Sequence, residues 1–165
     1  AANYPDSQSA WESAFSLWAC VSSRTNVVYH SAGWLEGGLC ASYEKFVMDC
    51  ETLQQMIHYM QPVTTSAGDL AFETIRDVGP TGHFFGTEHT LERYETAFYA
   101  PFLSDWSNFE NWEERGSMQT PQRANKIWKQ ILAEFEPPPV DPSIREELQS
   151  FVAKRKEEGG APTDF

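Results

Sequence analysis

The sequence predicts a mostly α protein with one or two short strands. Three observations carry this. Apolar residues recur at helical spacing in most segments of the chain, capping residues stand at the expected helix starts, and a single run is rich in β-branched and aromatic residues. With 165 residues and 41% hydrophobic side chains, the chain can fold and bury a core. Its formal charge of -12 argues against nucleic acid or an anionic membrane surface as partner, since both need basic patches.

The elements follow in order. Ala1 to Asp6 is polar and turn-like, and Ser7 or Ser9 is placed to cap a first helix. Trp11, Phe15, Trp18 and Val21 make its apolar stripe, which closes near Ser22. Asn26 to His30 reads as a short strand buried on both faces, as a parallel strand would be. A glycine-rich loop from Ser31 to Ala41 comes next, and the loop after a parallel strand is a usual ligand position. Ser42 caps a second helix with Phe46, Cys50, Leu53, Ile57 and Met60 as its buried face, ending before Pro62.

Asp69 to Val78 is a short helix. Gly79 to Thr90 is the densest run of chemical side chains, with His83, His89 and Glu88 among three glycines. Glycines allow tight turns and close approach to a ligand, and a loop between two rigid elements suits binding residues. The plain alternative is a connector with a short buried strand at His83-Phe84-Phe85. Thr87 or Thr90 starts another helix, running to about Ala97. Ser104 to Glu114 is a short helix with Trp106, Phe109 and Trp112 in the core, stopped by Gly116. Thr120-Pro121 and Asp141-Pro142 are strong helix starts on either side of the stiff Pro137-Pro138-Pro139 spacer. Ile127, Trp128, Ile131, Leu132 and Phe135 stripe the first of these helices. Ile144, Leu148, Phe151 and Val152 stripe the second, and a charged tail closes the chain. There is no internal repeat.

Three cysteines at unpaired spacing do not make a disulfide framework, which points to reduced thiols and a cytoplasmic compartment. No apolar run is long enough to cross a membrane and no signal peptide is visible. The chain opens without an initiator Met, as a processed protein or a piece of a longer one would. His83 and His89 lack the spacing of two ligands on one helix, so no metal site is expected. Phosphate-binding loops, dinucleotide fingerprints and serine-hydrolase elbows are missing too. Trp34 either stacks on a ligand or caps the core, and Glu36 is either a ligand-facing or a solvated loop acid.

Gly33-Trp34-Leu35-Glu36-Gly37-Gly38, Asp77-Val78-Gly79-Pro80, Gly82-His83-Phe84-Phe85-Gly86 and His89-Thr90 resemble, in order and spacing, the C-terminal part of the trimethylamine:corrinoid methyltransferase family. The likeness continues through Ala97-Phe98-Tyr99-Ala100-Pro101, Ser104-Asp105-Trp106 and Glu136-Pro137-Pro138-Pro139 to Gly159-Gly160-Ala161-Pro162-Thr163-Asp164-Phe165. It covers nearly the whole chain. The resemblance implies the C-terminal part of a TIM (β/α)8 barrel at 1–98 and a helical extension at 99–165. It implies a methyltransferase that moves a methyl group from trimethylamine or a related methylated amine, such as a betaine, to the cobalt of a corrinoid (cobalamin) carried by a partner protein. No cofactor would then be bound by this fragment itself. Archaeal trimethylamine members carry pyrrolysine near mid-chain, and none occurs among these residues.

The resemblance assigns no roles within the two loops, so these rest on residue type. Glu36, His83 and His89 are the candidate catalytic residues. Gly33, Trp34, Phe84 and Phe85 are the candidate substrate-binding residues, because a quaternary ammonium is held by aromatic faces and carboxylates. A fragment of a barrel would expose strand edges and apolar helix faces and would self-associate or rearrange. A helical protein-interaction module and a histidine metal site are the alternative readings.

Overall fold

In the computed structural model, which describes residues 1–159, six of the helices begin where a side chain accepts a free amide of the first turn. The end of the charged tail, Gly160 to Phe165, lies outside the described residues. Helix α1 (Ser7–Ser22) is capped by Asp6, whose carboxylate accepts the Ser9 amide, and not by either serine expected from the sequence. Strands β1 (Trp34–Leu35) and β2 (Cys40–Ala41) pair antiparallel around a short 3-10 turn, Glu36–Gly38. Helix α2 (Tyr43–Tyr59) is capped by Ser42, as expected.

Helices α3 (Ala67–Leu70) and α4 (Phe72–Val78) replace the single helix expected over 69–78. They part at Ala71, whose left-handed backbone interrupts the ladder. Helix α5 (Glu88–Leu91) is capped by Thr87 and gives way to turns well before Ala97. Helix α6 (Phe109–Glu114) starts later than expected, because Asn108 takes the capping role through the Asn111 amide. Helices α7 (Thr120–Ala133) and α8 (Pro142–Glu157) begin at the two predicted Thr-Pro and Asp-Pro signals.

The chain divides into two units, Ala1–Ile131 and the part from Leu132 on. In the first, α1 packs on α2. The core is a cluster of Val47, Leu103 and Ala124, with Met48, Ile127 and Trp128 packed against it, so α2, the 103 segment and α7 share one apolar centre. In the second, α8 stands with Ile144, Leu148, Phe151 and Val152 exposed. Its last turn is basic, which suits the negative end of a helix.

Four expectations need correction. Asn26 to His30 forms no strand; Val27, Val28 and Tyr29 are exposed, and His30 turns left-handed, which ends any extended run. A lone strand would leave its amides and carbonyls without neighbours. His83-Phe84-Phe85 is likewise neither strand nor buried, with Phe85 83% exposed. Of the aromatic residues of the 104–114 stretch, Trp106 and Phe109 are exposed and not core, while Trp112 is half-buried.

The fourth correction concerns the helix faces. Of the predicted α1 stripe, Trp11, Phe15 and Trp18 are exposed; of the α2 stripe, Phe46, Ile57 and Met60 are. The Ile131, Leu132 and Phe135 end of the α7 stripe is exposed as well. The inward face of α2 is instead Lys45, Val47, Asp49, Glu51 and Met56, polar in three of its five members. Apolar periodicity marked the correct helices but the wrong side of α2, because the inner surface is organised by ion pairs and hydrogen bonds.

Candidate functional site

The 33–38 loop is the best-defined part of the candidate site. Gly33 is buried with φ of 85°, and an added Cβ would come within 3.2 Å of the Phe46 Cβ. Both space and backbone conformation therefore demand glycine here. Its carbonyl accepts the Ser42 amide at 2.8 Å, which closes the loop at its base. Leu35 is buried, and the Glu36 amide donates to the Ala2 carbonyl at 2.9 Å. Between these fasteners the side chains of Trp34 and Glu36 reach solvent. Trp34 meets the edge of the His30 ring, with centroids 5.0 Å apart. Glu36 itself has a left-handed backbone, as does Gly37 after it.

The second candidate loop is more open. His83 is exposed, with its ring 5.8 Å from that of Phe85. Phe84 and Phe85 face solvent. Thr87 holds the start of α5 through the Thr90 amide. His89 is half-buried, and its Nε2 is shielded from solvent without a hydrogen-bond partner. Among the described residues no hydrogen bond, ion pair or ring contact joins the 33–38 loop to the 83–89 loop. The structure brings Gly33, Trp34 and Glu36 together on one loop and His83, Phe84, Phe85 and His89 on another.

Three acids of α2 were not singled out from the sequence, and each pins a different segment. Asp49 accepts the Gly33 amide at 2.9 Å and pairs with Lys45, 2.6 Å from its Oδ2. Both side chains are buried. Glu51, also buried, accepts from the Tyr99 hydroxyl, the Phe102 amide, and the amide and hydroxyl of Ser104, at 3.0 to 3.3 Å. Burial and the nearby Glu51 carboxylate push the Tyr99 hydroxyl up to about 12. Glu44 accepts from Asn125 at 2.7 Å and from the Trp128 indole at 2.8 Å. Burial works to raise the Glu44 carboxyl, but these donors outweigh it and hold it at about 2. The available signal was the i, i+4 pair of Lys45 and Asp49, a spacing ordinarily read as an exposed helix pair.

Among the described residues no group of three His, Cys, Asp or Glu is placed to hold a metal ion. Cys20, Cys40 and Cys50 are free thiols. Burial, followed by the Asp49 charge, pushes the Cys50 thiol up, which keeps it protonated and inert. No described helix is long and apolar enough to cross a membrane.

The profile of the trimethylamine methyltransferase (MTTB) family matches residues 1–160. The chain belongs to this family. It is 41% identical over 155 residues to a glycine betaine methyltransferase of Desulfitobacterium hafniense (strain Y51), covering 94% of this chain and 32% of the relative. It is 31% identical over 155 residues to a trimethylamine methyltransferase of Methanosarcina mazei, covering 93% of this chain and 30% of the relative. A trimethylamine methyltransferase of Desulfitobacterium hafniense (strain DCB-2) is 29% identical over 156 residues, covering 94% of this chain and 31% of the relative. The chain thus spans about a third of the length of the curated relatives it matches. The resemblance read along nearly the whole sequence is therefore a family membership. It extends through the helices as well as the loops.

Proposed function

We propose that this chain is the C-terminal part of a corrinoid-dependent methyltransferase acting on trimethylamine or a related methylated amine, with a betaine favoured. The observation that carries this reading is the 41% identity to a glycine betaine methyltransferase across 94% of the chain. Within this reading the end of a TIM barrel lies at 1–98 and a helical extension at 99–165. The exposed apolar faces of α1 and α2 support it, because they are the kind of surface that the rest of a barrel would cover. The protein works in the cytoplasm, with a corrinoid protein as its partner.

A reduced corrinoid carried by that partner would supply the cobalt nucleophile for the methyl group, and the amine would leave with the electron pair of its carbon–nitrogen bond. The residues of this chain bind and orient. The exposed face of Trp34 attracts the cationic ammonium, and the Glu36 carboxylate beside it balances the charge. Phe84 and Phe85 add apolar wall. His83 and His89 orient a substrate carboxylate or a carboxylate side chain. Gly33, packed against Phe46, fixes the base of the loop that carries Trp34.

The test is methyl transfer from glycine betaine and from trimethylamine to cob(I)alamin, followed by the cobalamin spectrum. The intact protein that carries this chain transfers methyl; the 165-residue chain alone does not, because a barrel site draws on loops after several strands. In the intact protein Glu36→Ala and His89→Ala slow transfer without unfolding. Transfer by the isolated chain near the intact rate refutes the fragment reading, and unchanged rates in both variants remove the residue assignment. A second reading, a non-catalytic helical interaction module, draws on the same exposed faces. Failure of the intact protein with both amines favours it.

A further inference from the structure

We propose that Asp49 is a positioning residue, which sets from inside α2 the pose of the 33–38 loop and so of Trp34 and Glu36. The part of this that concerns methyl transfer rests on the function proposed above.

The carboxylate of Asp49 has two tasks at once. Its Oδ2 accepts the Gly33 amide at 2.9 Å and the Lys45 ammonium at 2.6 Å. The same ammonium donates to the Ser13 hydroxyl on α1. The first amide of the loop is thereby tied through a charged pair to two helices. Gly33 has no slack of its own: its carbonyl is used by the Ser42 amide, and its Cα faces Phe46. Trp34 follows directly, and Glu36 lies two residues further on, before Gly37 and Gly38, which meet nothing within 4 Å of an added Cβ. Any tilt of the Gly33 peptide is therefore passed to both side chains.

Stability alone does not account for this pair. Two charges buried this deeply pay a desolvation penalty that cancels much of their attraction, and apolar residues of similar volume often replace such pairs without loss. An apolar replacement cannot accept the Gly33 hydrogen. That acceptor is the contribution only Asp49 makes, and it acts on the loop.

Two double variants of the intact methyltransferase separate the roles. Both Lys45→Met/Asp49→Asn and Lys45→Met/Asp49→Leu remove the charged pair, but only the first keeps an oxygen for the Gly33 amide. Hydrogen–deuterium exchange is read over peptides spanning 31–42, and kcat/KM for methyl transfer beside it. In the Leu variant, exchange at 31–42 rises while that of α2 stays near wild type, and kcat/KM falls about tenfold or more, since small misplacements of reacting groups are costly. In the Asn variant both stay near wild type. Equal exchange in the two variants, whether unchanged or raised throughout, overturns the proposal. So does a rate loss in the Leu variant that the Asn variant fails to restore. Absence of methyl transfer in the wild-type protein counts against the proposed function alone, because exchange still decides whether Asp49 holds the loop.

Discussion

Replacing Glu51 by alanine tests whether the polar inner face of α2 holds the fold. Five donors converge on this carboxylate, the Gln55 side-chain amide among them, and the backbone amides of Phe102 and Ser104 are the two that cannot rotate away. A buried donor that loses its partner costs about 1–3 kcal/mol, with the low end applying where water reaches it. Phe102 and Ser104 belong to exposed residues, so each amide contributes about 1 kcal/mol. The Tyr99 and Ser104 hydroxyls lose charged acceptors and together add about 1 kcal/mol after water replaces them. Glu51→Ala should therefore destabilise the first unit by about 2–3 kcal/mol. Glu51→Gln, which keeps one neutral acceptor, should cost about 1 kcal/mol. Urea unfolding followed by tryptophan fluorescence measures both, with a constant slope confirming that only stability has changed. A loss below about 0.5 kcal/mol for Glu51→Ala, the range of an ordinary surface change, would refute the reasoning.

Glu44 makes stability depend on acid. Its folded carboxyl sits at about 2 against an ordinary 4.5, so its contribution is fully present above the ordinary value and is lost as pH falls towards the folded one. The displacement corresponds to about 3 kcal/mol, which solvent at this half-exposed site reduces to about 1–2 kcal/mol. Melting temperatures measured from neutral pH down to about pH 2 should fall less steeply in Glu44→Gln, and parallel curves would exclude the role. Gly33→Ala should cost more than Gly37→Ala in urea unfolding. Both have positive φ, but only at Gly33 does the new methyl meet another side chain, so about 1–2 kcal/mol of backbone strain is joined by crowding against Phe46. Equal losses would show that Phe46 simply moves aside. The isolated chain should self-associate through the exposed faces of α1 and α2, and a monodisperse monomer by light scattering would contradict this.

What the sequence revealed of the fold depends on how local the cause is. Caps at Ser42, Thr87 and Asp141 were legible because each acts within three residues. Glycine at position 116 ends α6 as read, with a positive φ. The inner face of α2 was not legible. Phe46, Ile57 and Met60 repeat at helical spacing, but periodicity identifies an apolar side without saying which surface meets it. Lys45, Asp49 and Glu51 face inward because their partners Ser13, Gly33, Tyr99 and Ser104 lie 16 or more residues away along the chain. The strand at 26–30 failed for a related reason: β-branched residues favour extension only where a neighbouring strand supplies hydrogen bonds. The site residues could be nominated by type and loop, while the carboxylate that fastens the 33–38 loop lay in a helix read as structural.

The hydrogen bonds of Glu44 also impose a schedule on the newborn chain. Its partners Asn125 and Trp128 are 81 and 84 residues further along. At about 5–20 residues per second, a ribosome needs roughly 4–17 s to deliver them. Glu51 waits for Tyr99 and Ser104, 48 and 53 residues on. Helix α2 thus leaves the exit tunnel before its distant donors are made, and only short-range bonds such as Lys45–Asp49, Ser42–Glu44 and Gln55–Glu51 can form at once. During that interval the apolar outer face is exposed as well, which makes this segment a natural client for a chaperone. Translation speed between codons 60 and 128 should then influence the soluble yield more than the same change placed after Trp128.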